Sequence, residues 1–146
     1  MKKRIVGIVL VMCVMLGLCA CSQVKKYTMT CENGDTIKIE VDGKGGYTTN
    51  AGTNLEISKD GNLVFVCSAV DGTKYDKMAL MINQDKTANL IRQSTKGNNK
   101  YIFYKQNDTF NFVELVDGTS TAVWFKGAKT QEEAESTFTQ ITCTKK

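Results

Sequence analysis

The 146-residue chain has no histidine and no proline, one tryptophan, and a formal net charge of only +4. Without histidine the commonest general base is missing, and neither a Ser-His nor a Cys-His nucleophile pair can be built. The commonest transition-metal ligand is missing too, and no Cys-x-x-Cys spacing replaces it, so no metal or cofactor is expected. The glycine-rich stretch Gly43-Lys44-Gly45-Gly46 lacks the spacing and the Lys-Ser/Thr ending of a phosphate loop. Asp60-Gly61-Asn62 lacks the downstream bidentate glutamate of a calcium loop. No internal repeat is evident.

What is present begins at the N-terminus. Met1-Lys2-Lys3-Arg4 is a basic start, and Ile5 to Ala20 form an apolar run that stops at Ser22-Gln23-Val24-Lys25-Lys26. A spanning helix needs about 20 apolar residues to cross about 30 Å of hydrocarbon. This run is shorter, and its layout is that of an export signal.

Leu18-Cys19-Ala20-Cys21 resembles the lipobox of bacterial lipoproteins: a branched apolar residue at −3, a small residue at −1, then the cysteine. The competing frame, Leu16-Gly17-Leu18-Cys19, puts a bulky leucine where a small side chain is wanted. The resemblance implies cleavage before Cys21, a diacylglyceryl thioether on that cysteine, and a location on the extracytoplasmic face of the cell membrane. Residues 1–20 are then the signal peptide, 21–26 a short tether, and 27–146 one extracytoplasmic domain. Two acyl chains hold a protein at a bilayer where one binds only marginally.

Loss of Lys2, Lys3 and Arg4 leaves 16 basic residues against 15 acidic ones, a net charge of +1. Charges of both signs are scattered, with no basic block beyond Lys25-Lys26, so nucleic acid is not an expected partner. The mature length of about 125 residues suits one domain with one core.

Of six cysteines, Cys13 and Cys19 leave with the signal and Cys21 carries lipid, so Cys31, Cys67 and Cys143 remain. In an exported protein two of them can pair. Cys31 and Cys143 sit in similar polar-alternating contexts near the two ends of the domain, so the alternatives are a Cys31–Cys143 bridge or three reduced thiols. Cys67 lies in the apolar run Leu63-Val64-Phe65-Val66-Cys67 and is expected to be buried and unreactive.

Turn dipeptides punctuate the rest, at Asn33-Gly34, Asp42-Gly43, Asp60-Gly61, Asp71-Gly72 and Asp117-Gly118. Between them the spacing predicts strands at Tyr27 to Cys31, Thr36 to Val41, Leu55 to Ser58, Leu63 to Ala69, Tyr101 to Lys105, Phe110 to Val116 and Thr121 to Phe125. Thr36 to Val41 alternates strictly and should have one wet face, whereas the Leu63 run is apolar on both faces and should be central. Thr130 with Glu133 fits a helix-capping box, followed by Ala134, Phe138 and Ile141 at helical spacing. A weaker stripe, Met78, Ala79 and Ile82, follows Thr73. The expected fold is α+β: an antiparallel sheet of about six to seven short strands with one or two helices packed on one face.

Catalysis is left with carboxylates. Glu132, Glu133 and Glu135 crowd a helix start, and Asp71 and Asp76 flank a turn, but neither group shows the divergent environments that an acid and a base require. No catalytic residue is assigned. The aromatic run Tyr101-Ile102-Phe103-Tyr104, with Phe110, Phe112 and Trp124, either fills the core or leaves rings outward for a partner. The expectation is a non-catalytic, membrane-tethered module that binds an extracytoplasmic protein or glycan.

Tyr27-Thr28-Met29-Thr30-Cys31-Glu32-Asn33-Gly34 also resembles the opening strand and turn of the membrane-bound C-type lysozyme inhibitors. That resemblance implies an inhibitory loop at Lys96 to Tyr101. There the nearest match to the inhibitors' Ser-Gly-x-x-Tyr pattern, Lys96-Gly97-Asn98-Asn99-Lys100-Tyr101, lacks the serine and has one residue too many. A carboxylate-dependent hydrolase is the third reading.

Overall fold

A computed structural model describes residues 24–146; the expected signal peptide, residues 1–20, and Cys21 lie outside the described residues. In chain order the elements are β1 (Val24–Thr30), β2 (Thr36–Asp42), β3 (Tyr47–Ala51), β4 (Leu55–Lys59), β5 (Asn62–Asp71), α1 (Tyr75–Gln84), β6 (Ala88–Lys96), β7 (Asn99–Gln106), β8 (Thr109–Leu115), β9 (Thr121–Ala128), α2 (Gln131–Thr139) and β10 (Ile141–Lys145). A short 3₁₀ turn, Gly72–Lys74, leads into α1. Among the described residues no helix is long and apolar enough to cross a membrane.

The strands form two antiparallel sheets. Seven run in the order β3-β4-β5-β9-β8-β7-β6, and three in the order β1-β2-β10. Tight turns account for much of this. At the β4–β5 hairpin Asp60 and Gly61 both have positive φ, 50° and 80°, the pair of left-handed residues that a two-residue turn between twisted strands demands. β2 alternates as its sequence requires, with Ile37, Ile39 and Val41 buried and the residues between them half-exposed.

The main core lies between the inner face of the large sheet and a second layer made of the small sheet and α2. Ile37, Ile39, Val41, Ile141 and Cys143 meet Phe65, Phe103, Phe112, Phe125, Ala134 and Phe138 there. Its centre is a triple ring stack, Phe103 on Phe112 at 4.2 Å and Phe112 on Phe138 at 3.9 Å, each with ring planes 7° apart. α2 is placed by its cap: the Thr130 hydroxyl accepts from Glu133 N–H at 3.1 Å, and the Glu133 carboxylate accepts from Lys129 N–H at 3.1 Å.

A second core lies on the opposite face. Tyr75 and Ile82 of α1 pack against Ile102, Tyr104, Val113 and Ala122. Neighbouring residues of β7 thus divide, Tyr101 and Phe103 facing α2 while Ile102 and Tyr104 face α1. The two helices cover opposite faces of the large sheet, which corrects the expectation of helices on one face. Both sides of β7 and β8 are apolar, so each needs its own cover.

One other expectation is corrected. β1 begins at Val24, so residues 24–26 belong to a strand rather than to a tether. β3 and β6, both edge strands, carry polar sequences that are largely exposed, and neither has the apolar alternation by which a strand is recognised.

Candidate functional site

Between the outer edge of β1 and one end of β5 lies a crevice of about 710 Å³. Its walls are runs of consecutive residues: Tyr27 to Cys31, Ala51 to Leu55 in the β3–β4 hairpin, and Cys67 to Asp71. Successive strand residues face opposite ways. Five in a row can border one space only where the strand turns its edge towards it.

The ladders identify which main-chain groups that edge presents. Cys31 N–H donates to Asp35 O at 2.8 Å, and the β1–β2 register runs on from there without a shift. Antiparallel partners alternate between bonded and non-bonded pairs. Met29 and Tyr27 therefore turn their main-chain groups to β2, while Thr30, Thr28 and Lys26 turn theirs outward. On the other wall Gly72 N–H donates to Ser120 O at 2.9 Å, in register with the β5–β9 ladder, so Ala69 and Asp71 point away from β9. β4 pairing stops at Leu55 opposite Cys67. Ala69 thus has no strand on that side.

Both ends of the crevice are tied. At one, Asp35 accepts from Ser120 N–H and the Thr121 hydroxyl, each at 2.8 Å, and Asn33 donates to Thr121 Oγ1 at 3.0 Å. The Thr121 hydroxyl, and then the Ser120 amide, hold the Asp35 carboxyl below its usual range. At the other end the Tyr27 and Thr49 hydroxyls are hydrogen-bonded. The carboxylates on the crevice lining are Glu32 and Asp71, and Asp71 accepts from Thr73 N–H at 2.9 Å and from its hydroxyl at 2.7 Å.

A buried polar cluster joins the two sheets beside a separate hollow of about 420 Å³. Glu114 is 1% exposed. Its Oε1 accepts from Asn99 Nδ2 at 2.8 Å, the same amide donates to Cys143 O at 2.8 Å, and Asn99 Oδ1 accepts from Asp117 N–H at 2.9 Å. Glu114 Oε2 has no hydrogen-bond partner. Burial raises the Glu114 carboxyl above its ordinary value, with the Lys96 charge and the Asn99 bond opposing. Burial lowers Lys96, whose ammonium donates to Phe138 O at the C-terminal end of α2 and to Ile141 O at the start of β10, and lies over the Phe138 ring. This arrangement ties α2 and β10 to the β6–β7 hairpin.

Sequence reasoning passed over Glu114. Its one signal was a charged residue in the apolar strand Phe112-Val113-Glu114-Leu115-Val116. Of the five carboxylates it weighed, three have local duties: Glu133 at the α2 cap, Asp71 at the 3₁₀ turn, and Glu135 paired with Arg92 on the surface. The segment matched to an inhibitory loop is a tight hairpin turn. Asn99 is buried and Lys96 is held by main-chain carbonyls, which leaves Gly97, Asn98 and Lys100 exposed.

Cys31, Cys67 and Cys143 are free thiols. Of the two alternatives the structure has the reduced thiols, and β2 lies between β1 and β10. Cys31 stands opposite Asp35 and Cys143 opposite Ile39. Two strand spacings of about 4.8 Å and four residues at about 3.3 Å put the Cα atoms roughly 16 Å apart, against about 7 Å for the longest bridge. Burial raises the thiols of Cys67 and Cys143, whereas Cys31 is half-buried on the crevice wall.

On the α1 face, Trp124 Nε1 donates to the Tyr104 hydroxyl at 2.7 Å, and Lys126 lies over the indole at 3.8 Å. Burial pushes the Tyr104 phenol up to about 12. Leu80 and Met81 of α1 stay 59% and 63% exposed. Among the described residues no group of three histidine, cysteine or acidic side chains is placed to hold a metal. The chain matches no family model, no curated protein and no solved structure.

Proposed function

We propose that the chain is a lipid-anchored extracytoplasmic protein whose domain binds a partner, protein or glycan, in the crevice between its two sheets, without catalysis. The observation that carries this reading is the crevice itself. At about 710 Å³ it falls within the range of about 300–1,000 Å³ usual for ligand sites. Its lining mixes apolar Met29, Ile39 and Leu55 with polar Asn54, Ser68 and Thr73. Of its two carboxylates, Asp71 is committed to the turn at Thr73, so no acid–base pair faces the space.

The anchor fits the start of the domain. With acyl chains on Cys21, only Ser22 and Gln23 separate the lipid from β1, a reach of about 10 Å when extended. The crevice then begins a few residues in sequence from the lipid.

The test uses Cys31, the half-buried thiol on the crevice wall. Protoplasts are treated with a membrane-impermeant maleimide and the chain's intact mass is measured. The expected product starts at Cys21, carries acyl mass, and holds one maleimide, at Cys31. Cys21→Ser is expected to release the chain from membranes. A chain that keeps Met1, or one labelled only after lysis, would refute the tethered reading.

A further inference from the structure

We infer that the crevice takes an extended peptide strand, which pairs with the outward main-chain groups of Thr28 and Thr30 on the free edge of β1. This rests on the crevice being the binding site, and it names the chemistry of the occupant.

Three observations converge. The crevice runs along a strand edge, as the four consecutive lining residues of β1, Tyr27 to Thr30, with Cys31 after them, require. The outward N–H and C=O groups of Thr28 and Thr30, and those of Ala69 across the gap, have no main-chain or side-chain partner among the described residues. A row of donors and acceptors at strand spacing is matched by another main chain, while pockets beside it take alternate side chains. Edges not meant for pairing are blunted by lysine or proline. Here Lys25 and Lys26 blunt only the start of β1, and Tyr27 to Thr30 carry no charge.

Charge sets the direction of fit. Lys25 and Lys26 stand at one end of the edge, and Glu32 and Asp71 at the other. The matching segment carries an acidic residue beside the lysines and a basic one beside Glu32, with small β-branched side chains between them to reach the space over Leu55, Cys67 and Ala69. A lipid chain would leave the row of amides unpaired, and the hydroxyls of a glycan do not repeat with the alternating donor–acceptor spacing of a strand.

The probe is a blocked synthetic peptide, Glu-Thr-Val-Thr-Val-Thr-Lys, with its reversed-charge and scrambled counterparts, titrated against the full-length chain in detergent micelles. Binding is read by calorimetry and by amide exchange. The decisive variant is Thr28→Pro. Because the Thr28 N–H points outward, proline removes the docking donor without taking a bond from the β1–β2 ladder, and edge strands tolerate it. A second handle leaves the protein untouched: the same peptide N-methylated at alternate positions, in both phases.

The expected result is binding with slowed exchange at Thr28 and Thr30, weakened at least tenfold by Thr28→Pro and by one N-methyl phase but not the other. Equal binding to Thr28→Pro and to both methylated peptides would overturn the edge inference, while protection of crevice side walls in the same experiment would leave the crevice reading standing. Failure of every peptide to bind would overturn it as well. So would protection of Thr28 and Thr30 without peptide: rising with protein concentration it would assign the edge to a second copy, and independent of concentration to the chain's own N-terminal segment.

Discussion

Asn99→Ala should be among the most damaging single changes outside the apolar core, although the residue borders a hairpin turn, where substitutions are usually tolerated. Its side chain satisfies three groups at once: the Glu114 carboxylate, the Cys143 carbonyl and the Asp117 amide. Removing it leaves Glu114 with neither oxygen bonded, since Oε2 already has no partner. An orphaned buried polar group costs about 1–3 kcal/mol. Three such groups sharing one side chain are not additive, and the adjoining hollow of about 420 Å³ admits water, so the net loss should be about 3 kcal/mol. For a domain of this size that lowers Tm by roughly 10–15 °C. In urea the midpoint should fall with an unchanged m-value, because the folded and unfolded surfaces are nearly the same. Asn99→Asp sharpens the test by setting a second carboxylate beside Glu114. It should be worse than alanine at pH 7 and recover as pH falls. A loss below about 0.5 kcal/mol for Asn99→Ala would show that solvent replaces the amide and that the cluster does not join the sheets.

Two further outcomes follow from the same structure. Glu114 has a folded pKa above its ordinary value of 4.5, so the native state holds the extra proton in the window between the two values. Its contribution to stability is complete below pH 4.5 and is lost as pH rises to the folded value. Glu114→Gln should remove that decline, so the difference between the two stability curves should grow with pH and then level off; parallel curves would show that the carboxyl titrates normally. Phe112→Ala deletes the middle ring of the triple stack, fully enclosed against Phe65, Phe103 and Phe138, and should cost about 3–5 kcal/mol in chemical denaturation. A cost under about 1 kcal/mol would mean that Phe103 and Phe138 close the gap.

Much of the local structure was legible in the chain. The alternation of Thr36 to Asp42 reports one buried face, and Thr130 with Glu133 starts α2 where it is found. Asp60-Gly61 makes the turn its residues favour. These features depend on contacts within a few residues, which the sequence spells out directly. The free edge of β1 was not legible, because a strand does not declare which neighbour it lacks. Glu114 was hidden for a related reason: its partners come from β7 and β10, and only the packing of the two sheets brings Asn99 and Cys143 to it.

The sequence by itself determined a basic start, an apolar run with a lipobox-like end, a chain rich in turn dipeptides, and chemistry restricted by the absence of histidine. It also showed apolar side chains on both faces of Tyr101 to Tyr104, though not what covers each. Tertiary structure decided that α1 and α2 take opposite faces, that β2 lies between the strands of Cys31 and Cys143, and that β4 starts too late to pair with the end of β5. The reason is physical. Periodicity and turn residues act over a few bonds, whereas strand order and the gaps it leaves are settled by which apolar faces meet across the whole chain.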